Sequence, residues 1–261
     1  MKMNFFKYQG TGNDFVIADN RGGLYNDLTR EQVAILCDRH FGIGADGLML
    51  LNEAEGYDFE MKYFNADGKE SSMCGNGGRC LVKFARMMGI HPSTYSFIAI
   101  DGQHSAIIND DGTVALKMND VNEVKAYHDD YILNTGSPHL VHFSSDISRE
   151  DVFKKGREIR YSKDFEKEGI NVNFVETTSK NDSIRVRTYE RGVENETLSC
   201  GTGVTAAALV CFHNASGFNR VEVETPGGSL SVEYEKSGDQ YSNLWLIGPA
   251  EKVFEGTIEI K

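Results

Sequence analysis

The chain has 261 residues, a formal net charge of −12, and 40% hydrophobic against 25% charged residues. That length carries one large domain or two of ordinary size with ample core, and the composition is that of a globular protein. The acidic balance excludes nucleic acid or an anionic membrane as the expected partner, so an acidic ligand would need locally placed donors. No window approaches a transmembrane span, and Met1–Tyr8 holds no sustained apolar run of a leader. Five cysteines at irregular spacing predict reduced thiols and a cytoplasmic protein.

Alternation over Asn4–Tyr8 and an apolar run at Phe15–Ala18 predict strands. Thr29–His40 reads as a helix, with Thr29 as cap, Gln32 at the capping-box position and Gly42 beyond its end. Strands follow at Leu48–Leu51 and Phe59–Phe64, then a turn at Asn65–Gly68. Cys74 opens a helix to Met88, stopped by Gly89, whose apolar residues cover most of its circumference. Tyr95–Ile100, Ser105–Ile108 and Thr113–Met118 complete the first half, the last two joined by a hairpin signal at Asp110–Gly112. The second half repeats the theme. Strands at Tyr131–Asn134 and Leu140–Phe143 precede a short helix capped at Ser148, then strands at Asn171–Glu176 and Ile184–Tyr189. An apolar helix over Val204–Asn214 follows Cys200, and strands resume at Val221–Glu224, Leu230–Tyr234 and Leu244–Ile247. The polar stretch Asn119–Glu123 is the boundary, giving a domain 1–118 with Cys74 and a domain 119–251 with Cys200. The fold class is α+β: two pseudo-symmetric, strand-rich halves, each wrapped around one apolar helix.

Two cysteines have near-identical settings, Cys74-Gly75-Asn76-Gly77 and Cys200-Gly201-Thr202-Gly203. A helix N-terminus exposes free N–H groups and the positive end of the dipole, which favours an anion and acidifies a thiol there into a range of about 3.5–7.5. The glycines at 75, 77, 201 and 203 would let backbone approach a carboxylate. A substrate held between two such helix ends could lose its α-proton to one thiolate and gain one from the opposite thiol, which is racemase or epimerase chemistry. Cys37, Cys80 and Cys211 read instead as small buried hydrophobes. No metal-ligand spacing and no lysine in a pyridoxal-phosphate setting occurs, so neither metal nor cofactor is expected.

Gly12-Asn13-Asp14-Phe15, Phe64–Gly68, Met73–Cys80, and Arg187–Glu194 followed by Thr197–Gly203 together resemble the diaminopimelate epimerase family, from about residue 5 to about 250. The resemblance implies two pseudo-symmetric domains, each a mostly antiparallel sheet or barrel around a central helix, with the site in the cleft between them. It implies that the C-terminal strand, about 252–261, returns to the first domain. It implies cofactor-independent interconversion of LL- and meso-2,6-diaminopimelate, on the route to lysine and the cell wall. Cys74 and Cys200 would be the acid/base thiols, with His139 and Glu190 supporting them. Asn13, Asn65, Asn171 and Arg191 would grip the substrate, the last three at its distal carboxylate, where Arg supplies bidentate geometry. Gly75, Asn76, Gly201 and Thr202 would give backbone donors to the reacting carboxylate. Two departures touch recognition: Ser137 stands where many members have Asn, and Gly47 where others have Gln.

A proline or hydroxyproline-type two-thiol racemase is the nearest alternative, but a small ring substrate has no use for Arg191 at a second carboxylate. A redox-sensing thiol protein is another, and would not exchange an amino-acid α-proton. The partner expected is a small dicarboxylic diamino acid, and a homodimer fits the reading equally.

Overall fold

The computed structural model describes residues 1–178, 182–211 and 216–260, and the chain divides into two compact units: Met1–Leu116 with Gly248–Lys261, and Lys117–Ile247. In the first unit the elements are β1 (Lys2–Gly10), β2 (Asn13–Asp19), α1 (Arg30–Cys37), β3 (Gly47–Asn52), β4 (Phe59–Asn65), β5 (Glu70–Ser71), α2 (Gly75–Met87), β6 (Tyr95–Ala99), β7 (Gly102–Ile108) and β8 (Val114–Lys117). In the second they are β9 (Val124–Tyr127), β10 (Asp130–Asn134), β11 (Pro138–Phe143), α3 (Val152–Arg160), β12 (Asn171–Thr177), β13 (Ser183–Glu190), β14 (Asn195–Thr197), α4 (Gly201–Cys211), β15 (Ser216–Thr225), β16 (Gly228–Ser237) and β17 (Gln240–Gly248). The last strand, β18 (Glu251–Glu259), belongs to the first unit and runs antiparallel to β1.

The strand pairings show the duplication directly. From the edge, β18, β1 and β2 are antiparallel, β2/β3 is parallel, β3/β4 and β4/β5 are antiparallel, β4/β6 is parallel, and β6, β7 and β8 are antiparallel. The second unit repeats that series: β9, β10 and β11 antiparallel, β11/β12 parallel, β12/β13 and β13/β14 antiparallel, β13/β15 parallel, β15, β16 and β17 antiparallel. Each parallel pair is joined by a crossover that carries a helix, as parallel strands require. Thus α1 corresponds to α3 and α2 to α4, while β18 holds in unit 1 the place β9 holds in unit 2.

The predicted α+β class and mostly antiparallel sheet are what the chain adopts. In each unit the sheet curls about an apolar helix: α2 packs on β1, β2, β3, β4 and β7, and α4 on β10 to β13, β15 and β16. Around α2, Leu81, Val82, Phe84 and Ala85 are buried, as are Val204 and Ala206–Leu209 around α4. Burying these side chains contributes roughly 1.5–3 kcal/mol for each large one. Smaller clusters lie under α1 (Val33, Leu36, Leu48, Leu50) and α3 (Val152, Ile170, Phe174, Tyr189). No helix among the described residues is long and apolar enough to cross a membrane.

The predicted boundaries shift where side chains compete for backbone. The capping box at Thr29 and Gln32 forms, but α1 ends at Cys37, because Asp38 Oδ1 accepts from the N–H groups of His40 and Phe41 and turns the chain away. Ser148 is not a helix cap. It lies inside a 3₁₀ turn capped by Asp146, and the following α3 is capped by Asp151, which accepts from Lys154 N. Carboxylates outcompete the hydroxyl at both starts. The expected helix end at Phe212–Asn214, and Lys261 at the end of the last strand, lie outside the described residues.

Candidate active site

The first cluster is built where β2, β4 and α2 end or begin. Cys74 is the N-cap of α2, with extended backbone (φ −99°, ψ 130°), and its carbonyl accepts from Gly78 N at 2.7 Å. Its half-buried Sγ lies 3.6 Å from Asn13 Oδ1. Asn76 Nδ2 donates to the same oxygen at 3.4 Å, and Asn13 Nδ2 donates to Asp46 Oδ2. Asn65 closes β4 at the turn that Gly68 N ties back to Asn65 O, and is exposed. The structure thus brings Cys74, Gly75, Asn76 and Asn13 together in one group.

Gly47 pairs with Asn65 across β3 and β4. A Cβ there would overlap the Phe64 carbonyl and the Tyr63 ring, so a larger residue at 47 is excluded while Tyr63 keeps its place.

The second cluster lies on β11, β12 and β13 and at the start of α4. Cys200 is buried, its carbonyl accepts from Val204 N at 2.8 Å, and its Sγ is 3.5 Å from Thr202 Oγ1. Thr135 Oγ1 donates to Thr202 O at 2.8 Å, anchoring the first turn. His139 is wholly buried on β11. Asn173, opposite Val141 on the adjacent strand, donates from Nδ2 to Leu140 O and lies 3.1 Å from His139 Nδ1, while its Oδ1 accepts from Thr188 Oγ1. That amide polarity makes His139 Nδ1 the acceptor and puts the ring proton on Nε2. Burial, then the charge of Arg191, pull the imidazole down to about 3 against the opposing hydrogen bond from Asn173, so it is neutral near pH 7. Its Nε2 is buried without a hydrogen-bond partner among the described residues.

Asn171 is spent on protein: Nδ2 donates to Ser137 Oγ and Pro138 O, and Oδ1 accepts from Arg191 N at 2.8 Å. Arg191 also donates to Glu168 O and, at 3.3 Å, to Ser137 Oγ. The Ser137 hydroxyl is therefore held by the same group as Arg191. Glu190, at the end of β13, accepts from Thr197 Oγ1 at 3.0 Å.

The other three cysteines are chemically set apart. Burial pushes the thiols of Cys37, Cys80 and Cys211 up to about 12, so none supplies thiolate at neutral pH. Gly77 and Gly203 do not face an approach path. A Cβ at 77 would overlap the end of Met49, and one at 203 would overlap Asn173 Oδ1. Among the described residues no group of His, Cys, Asp and Glu is arranged to hold a metal.

Sequence reasoning missed Asn173 and Arg79. An asparagine in the middle of an apolar strand, where that residue is depleted, was the signal for the first. A charged residue between Gly78 and Cys80, on the otherwise uncharged buried side of the helix, was the signal for the second.

Residues 5–124 and 131–253 match the profile of the family described as diaminopimelate epimerase. The protein of that name from Flavobacterium psychrophilum is 49% identical over 260 residues, covering 98% of this chain and all of its own. That from Chlorobaculum tepidum is 43% identical, covering 96% of this chain and 99% of its own. Among solved structures, a phenazine biosynthesis protein of the PhzF family from Bacillus anthracis superposes with TM-score 0.78 at 15% identity, covering all of both chains. A probable proline racemase from Agrobacterium radiobacter does so with TM-score 0.69 at 13% identity, covering 99% of this chain and 93% of its own. At such identities the last two share the fold alone.

Proposed function

The chain belongs to the diaminopimelate epimerase family of isomerases, and from that we propose that it converts LL-2,6-diaminopimelate to meso-2,6-diaminopimelate, in lysine and cell-wall precursor biosynthesis, through Cys74 and Cys200 as a thiolate/thiol pair. The observation that carries the reading is the twofold repetition of one local geometry. In each unit a cysteine heads the central helix, gives its carbonyl to the N–H four residues on, and is followed by first-turn residues whose backbone N–H groups point out of the helix start.

In the step we infer, one thiolate takes the α-proton: the C–H bond breaks, an S–H bond forms, and the electron pair stays on the α-carbon. The backbone donors of Gly75, Asn76, Gly201 and Thr202 stabilise the charge that spreads onto the α-carboxylate. The other thiol then delivers its proton to the opposite face and becomes the thiolate. The centre is inverted and the two sulfurs have exchanged roles. His139, neutral with its proton on Nε2, and Glu190 support these protonation states. Arg191 receives the distal carboxylate with Asn65, Asn171 keeps Arg191 and Ser137 in place, and Asn13 addresses the substrate beside Cys74. The protein works as a cytoplasmic enzyme on this small molecule, with no cofactor in any step.

The test follows α-proton exchange by NMR in deuterated buffer, with reduced protein offered LL-diaminopimelate or L-proline. Deuterium entering diaminopimelate alone, with turnover lost in Cys74→Ala and Cys200→Ala, is the expected result. Retained turnover in either variant would overturn the pair, and exchange into proline would move the chain to the ring racemases.

A further inference from the structure

Arg79 is 0% exposed, yet the groups that accept from it are neutral: Gly75 O at 3.3 Å, Asn76 Oδ1 at 2.9 Å, Thr11 Oγ1 at 3.4 Å and Pro249 O at 3.4 Å. In the second unit the corresponding helix position is Thr205, whose hydroxyl donates to Gly201 O at 3.0 Å. Holding the first-turn carbonyl therefore needs only a hydroxyl, and the guanidinium has a further task. A buried charge is costly, which sharpens the question of what it does.

The hydrogen bonds that leave Arg79 lead to Cys74. Guanidinium can only donate, so Asn76 must turn its oxygen to Arg79 and its NH₂ outward. That NH₂ meets Asn13 Oδ1. At the other end Asp46, ion-paired with Arg39 at 2.8 Å, can only accept, so Asn13 must give its NH₂ to Asp46. Both charged ends thus impose one polarity, and Asn13 is left with its carbonyl oxygen toward Cys74 Sγ at 3.6 Å. An acceptor there receives S–H and disfavours S⁻. We propose that Arg79 and Asp46 are positioning residues that, through Asn76 and Asn13, hold Cys74 in its thiol form until substrate enters. The proposal rests on Cys74 being an acid/base thiol.

Other charged and titratable groups join this part of the unit. Asp14 pairs with Arg39 and Lys7, Asp101 accepts from Met73 N and contacts His104, and Cys80 follows Arg79 on α2. Asp46→Asn removes a charge as well as a constraint, and loss of an anion alone lowers a thiol's midpoint. The experiment separates the two effects.

Freshly reduced full-length protein, without substrate, is alkylated with iodoacetamide across pH, and modification of Cys74 is read by mass spectrometry. Wild type is compared with Asn13→Ala, Asp46→Asn and the double variant. Asn13→Ala should lower the midpoint by roughly half to one pH unit, the size of one hydrogen bond. Asp46→Asn should lower it more when Asn13 is present than when it is absent, because only the charge effect survives in the Asn13→Ala background. A midpoint that rises in Asn13→Ala, or equal Asp46→Asn shifts in both backgrounds, would overturn the proposal. Arg79→Gln can offer Asn76 either a donor or an acceptor and so releases the polarity along with the charge. Its shift of the midpoint should differ between the backgrounds with and without Asn13, and equal shifts remove Arg79 from the relay. Should the glutamine variant not fold, the half-exposed Asp46 still decides. This readout needs no turnover, so it is separate from the outcome of the Cys74→Ala exchange experiment.

Discussion

Gly77 in α2 and Gly203 in α4 are counterparts, and what packs against them differs. At Gly77 the neighbours are Met49 and Phe15; at Gly203 they are Asn173 and His139. The strand registers make these pairs equivalent, since Phe15 opposes Gly47 and Ile17 opposes Met49 as His139 opposes Asn171 and Val141 opposes Asn173. One backbone therefore carries an apolar plug in one unit and an amide–imidazole pair in the other. The polar equipment of unit 1 sits elsewhere, on Arg79, Asn76 and Asn13, where unit 2 has Thr205, Thr202 and Ser137. Duplication set the positions of strands, helices and cysteines, and substitution then gave each cysteine its own electrostatic surroundings: formal charges relayed to Cys74, neutral buried groups near the start of α4.

The comparison breaks most plainly at the thiols. Loss of either Cys74 or Cys200 as alanine should cut epimerisation by about 10²–10⁴-fold, the range of one acid/base group, measured as substrate turnover under reducing conditions. A variant with less than tenfold loss would make the two units unequal in chemistry as well as in surroundings.

Acid should strike unit 2 first. His139 is held at about 3 against about 6.5 unfolded, so the unfolded chain binds the extra proton. Its contribution is full above about pH 6.5 and lost as pH falls toward 3, at more than about 1 kcal/mol per pH unit. Urea unfolding at pH 7, 5.5 and 4.5 should show a flatter decline in His139→Gln; parallel declines would count against the buried neutral imidazole.

The glycines give a smaller effect. Gly203→Ala should cost about 1–3 kcal/mol of stability, because the new methyl displaces an amide locked by Thr188 and Leu140. Gly77→Ala should cost less, since the flexible end of Met49 can swing away. Equal denaturation midpoints for the two variants would dissolve the contrast.

The smallest concerns Asp14. Burial alone would raise its carboxyl, but Arg39 and Lys7 outweigh this and hold it at about 2. Its contribution is present above about pH 4 and lost as pH falls through 2. Arg39 is half-exposed, so Arg39→Gln should remove only about 1 kcal/mol at neutral pH, seen as a shift in urea midpoint that vanishes near pH 2.

Much of this was legible from residue pattern. The two Cys-Gly-x-Gly settings, the apolar-rich helices and the hairpin signals locate α2, α4 and most strands, because burial of most of a helix's circumference leaves a clear composition, although the last turn of α2 is exposed at Arg86 and Met87. Short edge strands such as Glu70–Ser71 and Asn195–Thr197 left no trace, since two or three half-exposed residues carry no periodicity. The amides at 171 and 173 show another limit. Both are asparagines two apart on one strand face, yet Asn171 is engaged with Ser137 and Arg191 while Asn173 orients His139. Only the partners across the sheet distinguish them, and partners are a property of register.

The closing strand has a consequence for how the protein is made. Ile260 N donates to Met1 O across nearly the whole chain, and β18 lies along β1 over its length. The β1 segment thus waits for β18, far later in the chain, before its sheet edge is complete, whereas Lys117–Ile247 is one unbroken stretch. Synthesis and folding should run in opposite order: the unit made of one stretch can finish its core first, and the one begun earlier remains open until β18 has emerged.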